Sequence, residues 1–306
     1  MNQSMMVFRK RVKILSLLSQ ALAEFRQNDP LRMAGATAFF TTFALPAVLI
    51  ILIQVFGLVV SPRFMTRQLF FNLGEVVGKN TAGELHKTLF NVHHLLRNWY
   101  EATFGFLFLI FVATTLLNVI KDSLNQLWNI RMVNHPGFTF LLLSRLKSFV
   151  VILIAGILFL VVLLTEGGMD LIQHESNNVS FGNGILEREV VRQVISLVLV
   201  TIWFSMLFKF LPDGRPTWKT VIAGAGFTGI LFTIGKLFLQ WVLSHSNMQT
   251  IYGASTSSML LLLFVFYSSF IFYFGACFTK VWAESHQRPI QPAKHAEKYK
   301  WSHVRM

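Results

Sequence analysis

A chain of 306 residues with 54% hydrophobic and only 13% charged side chains is not a soluble domain, in which about a quarter of residues carry charge. Its 31 phenylalanines and long apolar runs point to an integral membrane protein, and its net charge of +13 reads as membrane topology rather than a nucleic-acid footprint, since no base-stacking motif accompanies it. The single cysteine, Cys277, excludes an intramolecular disulfide and a cysteine zinc site.

Residues 1–30 form the first unit. Phe8, Val12, Leu15, Leu18, Leu22 and Phe25 recur at helical spacing, with the basic cluster Arg9–Lys13 at one end. This predicts an amphipathic helix lying in the membrane interface, its cations drawn to anionic lipid heads. Gln20, Glu24, Arg26 and Asp29 interrupt any signal-peptide core. Pro30 then ends the helix, because the residue before a proline is disfavoured in helix.

Residues 31–282 read as a six-helix membrane domain, with spans near 35–60, 102–120, 141–165, 190–211, 220–244 and 255–280. Each is close to the roughly 20 residues a helix needs to cross a bilayer. Residues 283–306 form a basic tail. The first span is rich in Gly, Ala and Thr and contains Pro46, which removes a backbone hydrogen bond and predicts a kink. The segment 62–100 is too long for a plain loop. Its "TAGE", Thr81–Glu84, fits a capping box, and two amphipathic helices are expected, lying against the outer membrane face or capping a cavity. His86, His93 and His94 fall there, but no carboxylate has ligand spacing, so no metal site is expected.

Asn118, Asp122, Asn125 and Asn129 follow the second span at intervals of 4, 3 and 4 residues, so a continuous helix places them on one face. Two readings stand: a helix emerging into water, or a polar stripe lining a vestibule. The segment 165–190 is acidic and reads as loop.

The fifth span holds "GAGFTG", Gly224–Gly229. It matches a dinucleotide fingerprint in letters only, since no strand precedes it; small residues for helix packing are the better account. At about 100° per residue, Gly224, Thr228 and Gly235 share one direction, while Ala225, Gly229, Lys236 and Gln240 share a second. Phe227, Ile230, Ile234, Leu237, Phe238 and Trp241 fill a bulky, lipid-like third. Lys236 lies about 6 Å outward of the centre of the span. It either reaches to the outer interface or lines a cavity in the bundle, with Glu166, Asp170, Glu187 and Glu189 as candidate counter-charges. On the last span Ser257, Ser268 and Gly275 share one face.

Lys and Arg number 19 on the side holding both termini and 7 on the other, with Lys236 between. The positive-inside rule then predicts cytoplasmic termini, as an even number of spans requires.

The blocks "DPLRMAGATAFFTTFALPAVLIIL", "SLNQLWNIR", "FKFLPDGRPTWKTVIAGAGFTGILFTIGKLFLQWVLSH" and "IYGASTSSMLLLLFVFYSSFIFYFGACF" resemble, in order, those of the YihY/virulence factor BrkB family, over most of residues 29 to 280. The resemblance implies a bacterial inner-membrane protein with six spans and cytoplasmic termini. Family members once carried a ribonuclease label regarded as mistaken. Roles proposed for them include lipid or amphiphile export, cation/proton exchange and serum resistance. Cys277 stands where relatives commonly carry an acidic residue.

An enzyme is not expected. The four aspartates, Asp29, Asp122, Asp170 and Asp213, are scattered, and no HExxH, GxSxG or P-loop motif is present. The expectation is a transporter or flippase for a lipid or other anionic amphiphile, without cofactor or nucleic-acid partner. Its cavity residues would be Lys236, Gln240, Gly229, Asn118, Asp122, Asn125, Asn129, Ser257 and Ser268. Pro46, Gly224, Gly235 and Gly275 would shape the helices. The alternatives are a cation/proton exchanger and a non-transporting scaffold or envelope-assembly factor, in which the same small residues pack the helices or a homo-oligomer.

Overall fold

A computed structural model describes residues 2–56, 66, 70, 74, 82–87, 99–133, 185–245, 256–293 and 295–299. Within them run six long helices: α1 (Asn2–Gln27), α2 (Pro30–Phe56), α3 (Trp99–Leu127), α4 (Ile185–Phe210), α5 (Trp218–His245) and α6 (Thr256–Ser285). Residues 82–87 are also helical, where the capping box predicts a helix start; Thr81 itself lies outside the described residues. The expected spans near 35–60, 102–120, 190–211, 220–244 and 255–280 coincide with α2 to α6. The one near 141–165 lies outside the described residues.

Three segments among the described residues are long and apolar enough to cross a membrane: Gln193–Phe210, Trp218–Leu239 and Ser258–Ser285. Their outward surfaces fit that solvent. On α5, Ile222, Ile230, Ile234, Leu237, Phe238 and Trp241 are all more than half exposed. An apolar stripe of this size on a water-soluble surface would drive aggregation; against lipid it costs nothing.

α1 ends by geometry as well as by proline. Asp29 takes a left-handed φ of 50°, and Pro30 opens α2 at the first helical position, where its missing N–H is not needed. α2 then runs unbroken through Pro46. α6 is the centre of the bundle, packed by α1, α2 and α5 and touched by α3, while α4 lies on α5 and α2 on α3. At 1.5 Å per residue the 28-residue span in α6 is about 42 Å long, against roughly 30 Å of hydrocarbon. Alongside its last turns lies α1. Leu17 and Ala21 pack with Phe278 and Val281, and the Phe25 ring meets Phe270 at 4.8 Å and Phe274 at 5.4 Å. The amphipathic helix of the sequence is thus fastened lengthwise to the bundle through its second half.

α5 and α6 run antiparallel and interlock. Where Gly224 lacks a side chain the Thr279 hydroxyl sits, and where Gly275 lacks one the Thr228 hydroxyl sits. Thr228 and Thr279 return their hydroxyls to the carbonyls of Gly224 and Gly275, at 2.8 and 2.7 Å. The Tyr267 hydroxyl fills the space over Gly235. The glycine pattern therefore brings two backbones together, and it lies inside α5, not at a turn from a strand into a helix.

The fold is not wholly helical. After α6 the chain turns back and forms two short antiparallel pairs. β2 (Gly214–Arg215) pairs with β3 (Gln291–Pro292), and β1 (Ile130–Met132) pairs with β4 (Ala296–Lys298). These join the segment after α3 and the α4–α5 turn at the end of the bundle where α1 stops and α2 starts, called the terminal end below.

Candidate functional site

The terminal end contains a layer of buried charge. Lys121 of α3 is only 7% exposed, and its Nζ lies 3.0 Å from Asp213 Oδ1. One turn on, Asn125 clamps the same aspartate: its Nδ2 donates to Asp213 Oδ2 at 2.8 Å, and its Oδ1 accepts from the Asp213 backbone N–H at 2.8 Å. The "LPDG" turn between α4 and α5 supplies Asp213, and Lys209 Nζ steadies the turn by donating to the Pro216 carbonyl at 2.7 Å. Asp122 stands beside this pair at the rim of the layer, part covered and part open to solvent. Partial burial pushes its carboxyl above the usual range; Lys121 pulls it down and Asp213 pushes it further up.

A second buried cation, Lys280 of α6, is 6% exposed and contacts Glu24 Oε2 of α1 at 2.7 Å. Asn129 completes it. With its amide turned to satisfy both ends, the side-chain oxygen accepts from Lys280 Nζ at 3.2 Å and the nitrogen donates to the Gln126 carbonyl at 3.3 Å. α3 stops at Leu127, and Asn129 adopts a left-handed φ of 55°, a conformation asparagine tolerates better than most residues. It therefore caps α3 and does not extend the polar stripe.

Neutral polar groups continue the layer inward. The Tyr273 hydroxyl meets Thr37 Oγ1 at 2.6 Å and also bonds Ser123. The Trp128 indole donates to the Ala276 carbonyl at 3.1 Å. Of the six long helices, α1, α2, α3 and α6 each contribute a side chain to it, and α4 and α5 contribute the turn between them, braced by Lys209 of α4. Chemically the layer holds its shape. Both lysines have carboxylates, and among the described residues no group of three or more His, Cys, Asp or Glu could hold a metal ion. Removing one member of such a buried pair costs several kcal/mol, because the other is left charged and unpaired.

The remaining candidates lie elsewhere. Lys236 sits 18 residues beyond the start of α5 at Trp218, about 27 Å from the terminal end along the helix. It is half-buried and makes no ion pair among the described residues. Its neighbours define its direction. Gly235 faces Tyr267 of α6, while a Cβ on Gly229 would meet Thr201 Oγ1 of α4 at 2.8 Å. Lys236 shares the Gly229 side, turned away from the lipid-facing Ile234, Leu237 and Phe238. On α6, Ser268 lies between Phe264, which packs on Phe232 of α5 at 6.3 Å, and Phe272, which packs on Phe204 of α4 at 5.9 Å. Its Oγ is buried without a hydrogen-bond partner among the described residues. Asn118 is half-buried between the two levels. Gln240 and Ser257 are helical positions whose side chains lie outside the described residues, as do those of Glu187 and Glu189.

The structure thus separates the sequence candidates into a charged layer (Asp122, Asn125, Asn129) and an inner group (Lys236, Ser268). Lys121, Asp213, Glu24, Lys280 and Tyr273 were not among them. Lys121 and Lys280 each follow an apolar run and count equally well as topology-setting charge. Asp213 is 88 residues from Asn125, a separation no periodicity spans.

Long apolar helices with a lipid-like outer surface define a multi-pass helical membrane protein. The sequence model of the family described as "Virulence factor BrkB" matches residues 21–300. The chain belongs to this family. Relatives named "UPF0761 membrane protein" include that of Saccharophagus degradans, 24% identical over 85% of this chain and 58% of its own length. That of Tolumonas auensis is 24% identical over 82% of this chain and 80% of its own. That of Mannheimia succiniciproducens is 23% identical over 84% and 86%. The aligned region spans about three fifths of the Saccharophagus degradans relative. No solved structure matches the chain.

Proposed function

We propose that this protein is a bacterial inner-membrane transporter or flippase for a lipid or other anionic amphiphile, with cytoplasmic termini and without catalytic activity. The observation that carries the reading is Lys236: a cation inside an apolar span, half-buried on the side of α5 toward α4, and without an ion pair among the described residues. An ionisable group held in a membrane span away from lipid is a functional candidate by default. An anionic headgroup is a fitting counter-charge for it, and the buried Ser268 hydroxyl, without a partner among the described residues, offers a donor on the neighbouring α6. A cation substrate is less well supported, since Lys236 repels it and Glu24 and Asp213 already hold lysines. The excess of Lys and Arg on the side of both termini supports the orientation.

The test is translocation of a fluorescent anionic phospholipid in vesicles containing the purified protein, with complementation of a deletion strain in parallel. Lys236→Ala and Lys236→Glu lose transport, the second more completely, while Lys236→Arg retains it. Full activity of both the Ala and Glu variants refutes the role. The scaffold reading is favoured by the reciprocal Gly224–Thr279 and Gly275–Thr228 contacts, and predicts complementation without translocation.

A further inference from the structure

The segment after α6 does more than end the chain. Gln287 takes a left-handed φ of 55°, and Arg288 N–H bonds back to the Ala283 carbonyl at 2.9 Å. The helix stops there and the chain returns across the terminal end. β3 pairs with the α4–α5 turn and β4 with the segment after α3. The tail also grips the charged layer directly: Ala293 N–H donates to the Asp213 carbonyl at 2.8 Å, and Tyr299 N–H to the Asn129 carbonyl at 3.0 Å. Asp213 and Asn129 are the residues that hold Lys121 and Lys280.

Ile290 is 3% exposed and packs with Trp128 and Ile130 over Gly214, where a Cβ would meet all three between 2.7 and 3.0 Å. Arg131 and Glu297 form an exposed pair at 2.6 Å, which contributes little by itself. Two-stranded pairings of two and three residues do not hold alone in water. The segment therefore sits at the low-stability end of the molecule while touching both buried lysine sites.

We propose that residues 286–299 are a releasable strap. Seated, it closes the terminal end of the bundle over Trp128 and fixes the Lys121–Asp213 and Lys280–Glu24 pairs. Released, it uncovers the α4–α5 turn and the segment after α3 and opens the layer to water. The inference does not depend on what the bundle carries.

Cys277 is a built-in reporter, being the sole cysteine and fully buried in the cluster that contains Trp128 and Ile290. The experiment follows the rate at which a small maleimide labels it in the full chain reconstituted in vesicles. Ile290→Asp, which places a charge in the anchor, accelerates labelling by about tenfold or more, as expected when a local opening becomes populated. The pair Arg131→Cys and Glu297→Cys, directly opposite in register, locks the strap when oxidised. Labelling of Cys277 then falls below the wild-type rate, and reductant restores it. Equal Cys277 labelling in the locked and reduced forms overturns the proposal, whether or not Ile290→Asp folds, and leaves the Lys236 reading untouched.

Discussion

Neutralising Asp213 while leaving Lys121 in place tests the charged layer most directly. The two groups are 3.0 Å apart, with side chains 9% and 13% exposed, so solvent screens them little. At an effective dielectric of about 20 their attraction is on the order of 5 kcal/mol, and most of it offsets the cost of taking both from water. Asp213→Asn keeps the size of the side chain and an oxygen for Asn125, but leaves an ammonium buried and unpaired. Such half-removals cost about 3–5 kcal/mol. The value falls toward the lower end here, because Asp122 supplies a nearby carboxylate, though one partly open to solvent. Lys121→Met strands the aspartate and costs a similar amount. The double variant removes both charges and lies within about 1–2 kcal/mol of the wild type, giving a coupling energy of at least about 2 kcal/mol. Reversible unfolding in mixed micelles, followed by tryptophan fluorescence, measures all four corners of the cycle. Single variants that each cost under 1 kcal/mol, with a double equal to their sum, refute the reasoning.

Two further outcomes follow from the geometry. Gly224→Ala and Gly275→Ala each push a methyl onto a threonine side chain whose Cβ lies 2.8 or 2.9 Å away; overpacking of this kind costs about 1–3 kcal/mol. Thr279→Ala restores stability to Gly224→Ala, and Thr228→Ala to Gly275→Ala, by the same unfolding assay. Because the Asp122 carboxyl is raised in the folded protein, its ionised form is disfavoured there. The penalty is full above the folded value, relieved as pH falls through it, and gone below the unfolded carboxylate value. Asp122→Asn therefore raises the melting temperature at neutral pH, and the gap to wild type closes on acidification; a gap that stays constant with pH excludes this cause.

Much of α5 was legible from helical phase. Gly224, Thr228 and Gly235, grouped by angle alone, all face α6, and Gly229 of the second group faces α4. The bulky group faces outward with one exception. Phe227 stacks on Phe278 at 4.1 Å and meets Phe274 at 5.7 Å, because α6 is wide enough to cover the edge of that stripe. Phase also grouped Asn118, Asp122, Asn125 and Asn129, but it assumed an unbroken helix. The left-handed turn at Asn129 was invisible to it, since asparagine is as acceptable in an exposed helix face as at a helix end. The tail read only as basic charge. Its strands have two and three residues, too short to leave a pattern of alternation.

The amino-acid sequence by itself determined that the chain lives in a membrane, where most of its helices lie, and which face of α5 meets lipid. Each is a local property, set by hydrophobicity and by a repeat of 3.6 residues. Only the tertiary structure decided that Lys121 belongs to Asp213 and Lys280 to Glu24, 256 residues away, and that the tail closes over both. Pairing depends on where separate helices come to rest together. A lysine at the end of an apolar run has the same local sequence whether it meets water or a carboxylate.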